Sequence, residues 1–206
     1  SAPAGQRDWY RLDLSATVYP TLQRKNFSSV YRLSVLLKEP IRPEVLQKAV
    51  DIALKRFPTY KVAIHRGLFW RYLEPNTRPG PFVQPDIANP CMPMYFKAGN
   101  RYLLRIYYYD RRISLECHHC LGDGTGGMCV LQTITAVYLR LLGAEISNGG
   151  FVLDVNEEPD PEELEDAYMR YAIAQVCPPR PAEKTYRVRG TPEPFHTFNI
   201  IDGIMS

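Results

Sequence analysis

Between Cys117 and Gly127 the chain reads CHHCLGDGTGG, two histidines inside a cysteine pair followed by one aspartate among four glycines. Three chemistries use such residues: a metal site, a phosphate-cradling loop, or a general base with a supporting acid. Four contiguous ligands on an extended strand alternate in direction, so Cys117, His118, His119 and Cys120 cannot converge on one tetrahedral ion. No second ligand pair stands at finger spacing, and His65 and His196 are isolated. Redox-active CxxC pairs open helices with different flanks, which leaves Cys117 and Cys120 as buried or half-buried thiols. The glycines read G-x-G-x-G-G, without the GxGxxG spacing and without a following Lys-Ser/Thr, so Gly126 and Gly127 are expected to make a tight turn from strand to helix.

A base remains. Along a strand, Ile113, Leu115, Cys117 and His119 share one parity, and Ser114, Glu116 and His118 share the other. If the strand persists to His119, that imidazole points with three apolar residues toward an interior or channel, and His118 points to the more polar side. Imidazole titrates near neutrality and, when neutral, accepts a hydroxyl or amine proton. On residue type alone, a core histidine with one satisfied hydrogen bond is the commoner reading of His119.

The elements that must carry this segment are legible in the pattern. Ser28 to Leu37 alternates, with Tyr31, Leu33, Val35 and Leu37 forming an apolar strand face. From Ile41 to Pro58 the period becomes helical. Pro43 suits the first turn, Glu44 the positive end of the dipole and Lys55-Arg56 the negative end. Val45, Leu46, Ala49, Val50, Ala53 and Leu54 make the stripe, and Pro58 ends the helix at Phe57. Residues 60–75 read as two strands turning near His65-Arg66-Gly67, and residues 76–93, with their prolines, as a loop with short extended pieces. Tyr102 to Tyr109, a turn at Asp110-Arg111 and a strand from Ile113 make a hairpin. Residues 125–143 form an apolar, deeply buried helix stopped by Gly143. Trp9, Leu12 and Val18 are expected to anchor a short helix, and an acidic-starting helix has Pro161 near its first turn. Strands and helices together give an α+β class.

Composition bounds the rest. A chain of 206 residues fits one ordinary domain, or one large domain with a tail, and a net charge of +3 without a basic block gives no footprint for nucleic acid. No apolar run approaches the ~20 residues of a membrane helix, and the start has no signal-peptide pattern. Five cysteines, an odd number, in a chain able to build a core suit reduced thiols in the cytoplasm.

His118-His119-Cys120-Leu121-Gly122-Asp123-Gly124 matches HHxxxDG. It resembles the active-site motif of the CoA-dependent acyltransferase superfamily, which includes chloramphenicol acetyltransferase, condensation domains of nonribosomal peptide synthetases and alcohol acetyltransferase-like proteins. The WYRLDLSATVYP and YRVRGTPEPF stretches look most like the last branch. The resemblance implies an α+β fold, a chloramphenicol acetyltransferase-like sandwich with helices packed on a mixed, largely antiparallel sheet, built as two similar halves with a tunnel between them. It makes His119 the catalytic base and His118, Asp123 and Gly124 supports of the site. Asp123 would be an ion-pair partner shaping the loop, with Arg105 as one candidate partner, and Gly124 would leave the channel open.

The reaction implied is transfer of an acyl group, acetyl first among candidates, from acyl-CoA to an alcohol or amine. It needs no tightly bound cofactor and no metal. The alternatives are a condensation domain and a non-catalytic binding or assembly module. Residues 1–8 are expected to be a disordered or tag-derived start, and 9–176 the N-terminal half-domain. Residues 177–206 would be the crossover and first strand of a missing C-terminal half. On that reading the chain alone is inactive and prone to self-association through its uncovered face.

Overall fold

The computed structural model describes residues 10–11, 19, 28–66, 71–97 and 99–164. The expected helix around Trp9, Leu12 and Val18, most of the acidic-starting helix and the crossover at 177–206 lie outside them.

Strands β1 (Tyr10–Arg11), β2 (Val30–Leu36), β3 (Val62–Arg66), β4 (Arg71–Pro75), β5 (Val83–Pro85), β6 (Leu104–Tyr109) and β7 (Arg112–His118) form two sheets. The larger has the order β2-β7-β6-β5, and the smaller β1-β4-β3. All pairs are antiparallel except β5 with β6, which gives the mixed sheet expected from the resemblance. Helices α1 (Pro43–Ala53) and α2 (Gly124–Leu141) pack on each other and on one face of the larger sheet.

The core lies between that face and the helices. Leu104 and Ile106 of β6 and Ile113, Leu115 and Cys117 of β7 meet Leu46, Val50 and Ala53 of α1 and Val130, Ile134 and Tyr138 of α2. Tyr31, Leu33, Val35 and Leu37 pack against it, as their alternation requires. A second cluster, Val62, Ile64, Leu73, Leu103 and Cys120, joins the smaller sheet to the end of the motif.

Local chemistry explains the helix ends. Pro43 opens α1, where the backbone N–H of Arg42 donates to Tyr138 Oη at 2.9 Å, so a residue of α2 satisfies a group at the helix start. The helix stops at Ala53 rather than Phe57. Lys55, Arg56 and Phe57 bond to carbonyls three residues back, which tightens the chain out of α geometry before Pro58 is reached. Past α2, Gly143 (φ 93°) donates to Arg140 O and Ala144 to Leu139 O, the paired bonds of a Schellman stop.

Candidate active site at the end of β7

β7 ends at His118, and the next residue begins a turn in which Leu121 N–H donates to His118 O. The expectation that the strand persists to His119 is therefore corrected by one residue. The ladder still holds His119 in place, because its N–H donates to Ser29 O at 2.8 Å, continuing the β2–β7 pairing. The ring of His119 is half-buried. It stacks on Tyr19 (4.9 Å between centroids, 18° between planes) and tilts against Tyr31 (4.6 Å, 47°). Tyr31 faces the helices from β2, opposite Cys117, so His119 reaches the helix-side edge of the sheet while staying open at one side.

His118 has the opposite character. It shares a parity with Ser114 and Glu116, yet this polar side is closed, and all three are buried. The sequence parity located the face correctly and missed its depth. Cys120 N–H donates to His118 Nδ1 at 3.2 Å, and the Cys120 Sγ lies 3.0 Å from the same nitrogen. With Nδ1 accepting, the ring is neutral and carries its proton on Nε2. Burial, then the neighbouring His119 and Arg71, push the His118 pKa down to about 4. Phe96 meets the His118 ring edge-on at 5.5 Å. Cys120 thus braces His118, a role that residue type alone did not show. Cys117 is buried and in no disulfide, and burial pushes its thiol up to about 12, so it stays protonated.

Asp123 caps α2: its Oδ1 accepts from Gly126 N–H at 2.9 Å. Arg105 is not its partner. The Arg105 guanidinium lies 3.3 Å from Glu116 and donates to the carbonyls of Met92 and Pro93. Arg105 and Glu116 share the sheet face that points away from α2, as their direct register opposition dictates.

The glycines have a different use from the one the pattern suggested. A Cβ at Gly126 would lie 2.5 Å from Tyr60 Oη, and one at Gly127 would lie 2.5 Å from Tyr31 Oη and 2.8 Å from its ring. Gly122 meets the same Tyr60 hydroxyl at 2.6 Å. Close approach of two tyrosines excludes side chains here. The Tyr31 hydroxyl donates to Asp123 O at 2.7 Å, which ties β2 to the start of α2 beside His119. Burial raises both tyrosine pKa values, so both phenols remain donors. A Cβ on Gly124 would meet nothing within 4 Å, so this glycine borders open space.

Among the described residues no group of three His, Cys, Asp or Glu gathers as a metal set, and no helix is long and apolar enough to cross a membrane.

No family model matches the sequence, and no curated protein matches it. Solved structures do. The starter condensation domain of rhizomide synthetase RzmA superposes with a TM-score of 0.55 at 15% identity, over 68% of this chain and 41% of that one. SgcC5 from Streptomyces globisporus gives 0.52 at 12% identity, over 68% and 38%. Polyketide synthase associated protein 5 from Mycobacterium tuberculosis gives 0.52 at 14% identity, over 80% and 40%. A variant of the RzmA domain has been solved with C8-CoA, and another with C8-CoA and Leu-SNAC. The likeness is one of fold: the chain has the condensation-domain, CoA-dependent acyltransferase-like fold. The match spans about two fifths of those chains.

Proposed function

We propose that this chain is the N-terminal half of an acyltransferase in which His119 is the general base. The observation that carries the reading is the placement of His119: half-buried, clamped between two tyrosine rings and tied by its backbone to β2, at the entry to α2. An alcohol or amine acceptor gives its proton to the neutral imidazole as its oxygen or nitrogen attacks the acyl carbonyl. The tetrahedral intermediate collapses with cleavage of the C–S bond, and the thiolate leaves with the proton returned by the imidazolium. The donor is an acyl thioester of CoA, with acetyl the first acyl group to try. Support comes from the fold and from the C8-CoA complexes of its structural neighbours.

His118, Asp123 and Gly124 support the site: one is a buried neutral ring, one caps α2 and one keeps its neighbourhood open. The likeness to condensation domains favours a second reading, in which the acyl donor or acceptor is delivered on a carrier protein.

The test is thiol release by the full-length protein, supplied with acyl-CoA or a carrier-linked acyl thioester and a panel of alcohols and amines. Turnover with acyl-CoA supports the first reading, and turnover confined to the carrier-linked donor supports the second. No acyl transfer with either donor contradicts both. The 206-residue chain alone is expected to be inactive. Turnover by it that disappears in His119→Ala would overturn that expectation.

A further inference from the structure

Behind the motif, on the side of the smaller sheet, lies a pocket of ≈ 290 Å³ lined by Ile64, His65, Arg71, Phe96, Lys97 and Arg101. Three of its six walls are permanent cations and no carboxylate is among them. On the adjoining strand Glu74 lies 3.4 Å from His65 Nε2. Among the described residues, carboxylate partners are held by Arg32 and Arg112 (Asp86), Arg105 (Glu116) and Arg56 (Glu163). Among the described residues, neither Lys97 nor Arg101 has a carboxylate within 4.0 Å.

The backbone holds this arrangement at a cost. Asn100 and Arg101 both sit in the left-handed region (φ 54° and 65°), which residues with a Cβ adopt rarely. Asn76 fixes the bend by donating from Nδ2 to Asn100 O at 2.9 Å, and Asn100 Nδ2 donates in turn to Pro79 O at 2.9 Å. The other wall is preset by Arg71, whose guanidinium lies 5.6 Å from the centre of the Phe96 ring, the same ring that meets His118.

We infer that this pocket binds the phosphate group of a small ligand. Fixed arginines with a lysine suit phosphate oxygens by geometry and charge. The volume lies at the lower limit for small-molecule sites, so it suits a phosphate or diphosphate group and little more. The chemistry is shared by a phosphorylated ligand such as CoA and by free inorganic anions.

Calorimetric titration of the 206-residue chain at low salt, with inorganic diphosphate, CoA and the phosphate-free pantetheine in separate arms, distinguishes these sources. Binding of diphosphate or CoA but not pantetheine is expected, and CoA displacing diphosphate would identify the ester as the better ligand. Lys97→Ala and Arg101→Ala should each weaken that binding roughly tenfold or more. Lys48→Ala, on the exposed side of α1, removes the same charge elsewhere and should leave it unchanged. Absence of binding by both anions, equal binding of pantetheine, or equal loss in Lys48→Ala would overturn the inference.

Discussion

The two faces of β7 are buried to the same depth by opposite means. Ile113, Leu115 and Cys117 lie at 0% exposure against the helices in an all-apolar layer. Ser114, Glu116 and His118 lie at 0–1%: Ser114 bonds Ser34 of β2, Glu116 and His118 meet Cys91 and Phe96 of the segment that follows β5, and His118 Nδ1 accepts from Cys120 N–H. Glu116 takes Arg32 Nε at 3.0 Å, Arg105 Nη1 at 3.3 Å and the Cys91 N–H at 2.6 Å, while Arg32 also holds Asp86 through two bonds. The apolar face gains from leaving water; the polar face holds only while its network is complete. A sheet can thus be two-sided in chemistry without being two-sided in exposure.

Breaking the polar face should cost most. Glu116→Ala leaves the Cys91 N–H without its acceptor and takes one carboxylate from Arg32, which keeps Asp86, and from Arg105, which keeps the Met92 and Pro93 carbonyls; a loss of about 3–5 kcal/mol is expected in urea denaturation. On the apolar face, Leu115→Ala should cost about 2–5 kcal/mol, whereas Leu115→Met should cost under ~1.5 kcal/mol, because volume and not identity matters there. No such conservative rescue is expected for Glu116→Gln, which keeps the shape and removes the charge. If Glu116→Gln proves neutral, the polar face is held by packing and the contrast fails.

His118 gives the faces different pH responses. Its folded pKa, about 4, lies below its ordinary 6.5, so the unfolded chain binds the extra proton between these values. Stability is then full above pH 6.5 and falls toward pH 4, by on the order of 3 kcal/mol. In His118→Asn the slope in this window should flatten. Asp86 acts lower down: burial pushes its carboxyl up, but Arg32 and Arg112 hold it below its ordinary 3.8. Its contribution is present above that value and is lost as pH falls below it.

The smallest effect separates two glycines. Gly126→Ala clashes only with the Tyr60 hydroxyl, its next contacts lying at 3.7 Å, so adding Tyr60→Phe should recover much of a cost of about 1–3 kcal/mol. Gly127→Ala also meets the Tyr31 ring at 2.8 and 3.1 Å, and Tyr31→Phe should not rescue it. Thermal midpoints of the four variants check this.

Periodicity revealed what is periodic. The faces of β2 and β7, the stripe of α1, the hairpin and the Gly143 stop follow from alternation, helical spacing and one residue with unusual backbone freedom. Depth was not legible on the outer face, because its cover is a proline-rich segment with no pattern that says where it lies. The contacts of Tyr31 and Tyr60 with Gly127 and Gly126 were not legible for a related reason: the partners are far apart in sequence, and a glycine excluded by a neighbour looks like a glycine needed for a turn. The Arg105 assignment failed on register, which places it opposite Glu116 and away from Asp123.

The most direct measurement for the site is the kcat of thiol release from acyl thioester by the full-length protein, wild type against His119→Ala, with circular dichroism showing both folded. The expected result is a fall of roughly 100- to 10,000-fold with little change in KM, as for loss of a general base. A folded His119→Ala protein that keeps its rate within a few-fold would contradict the assignment of His119 as the base.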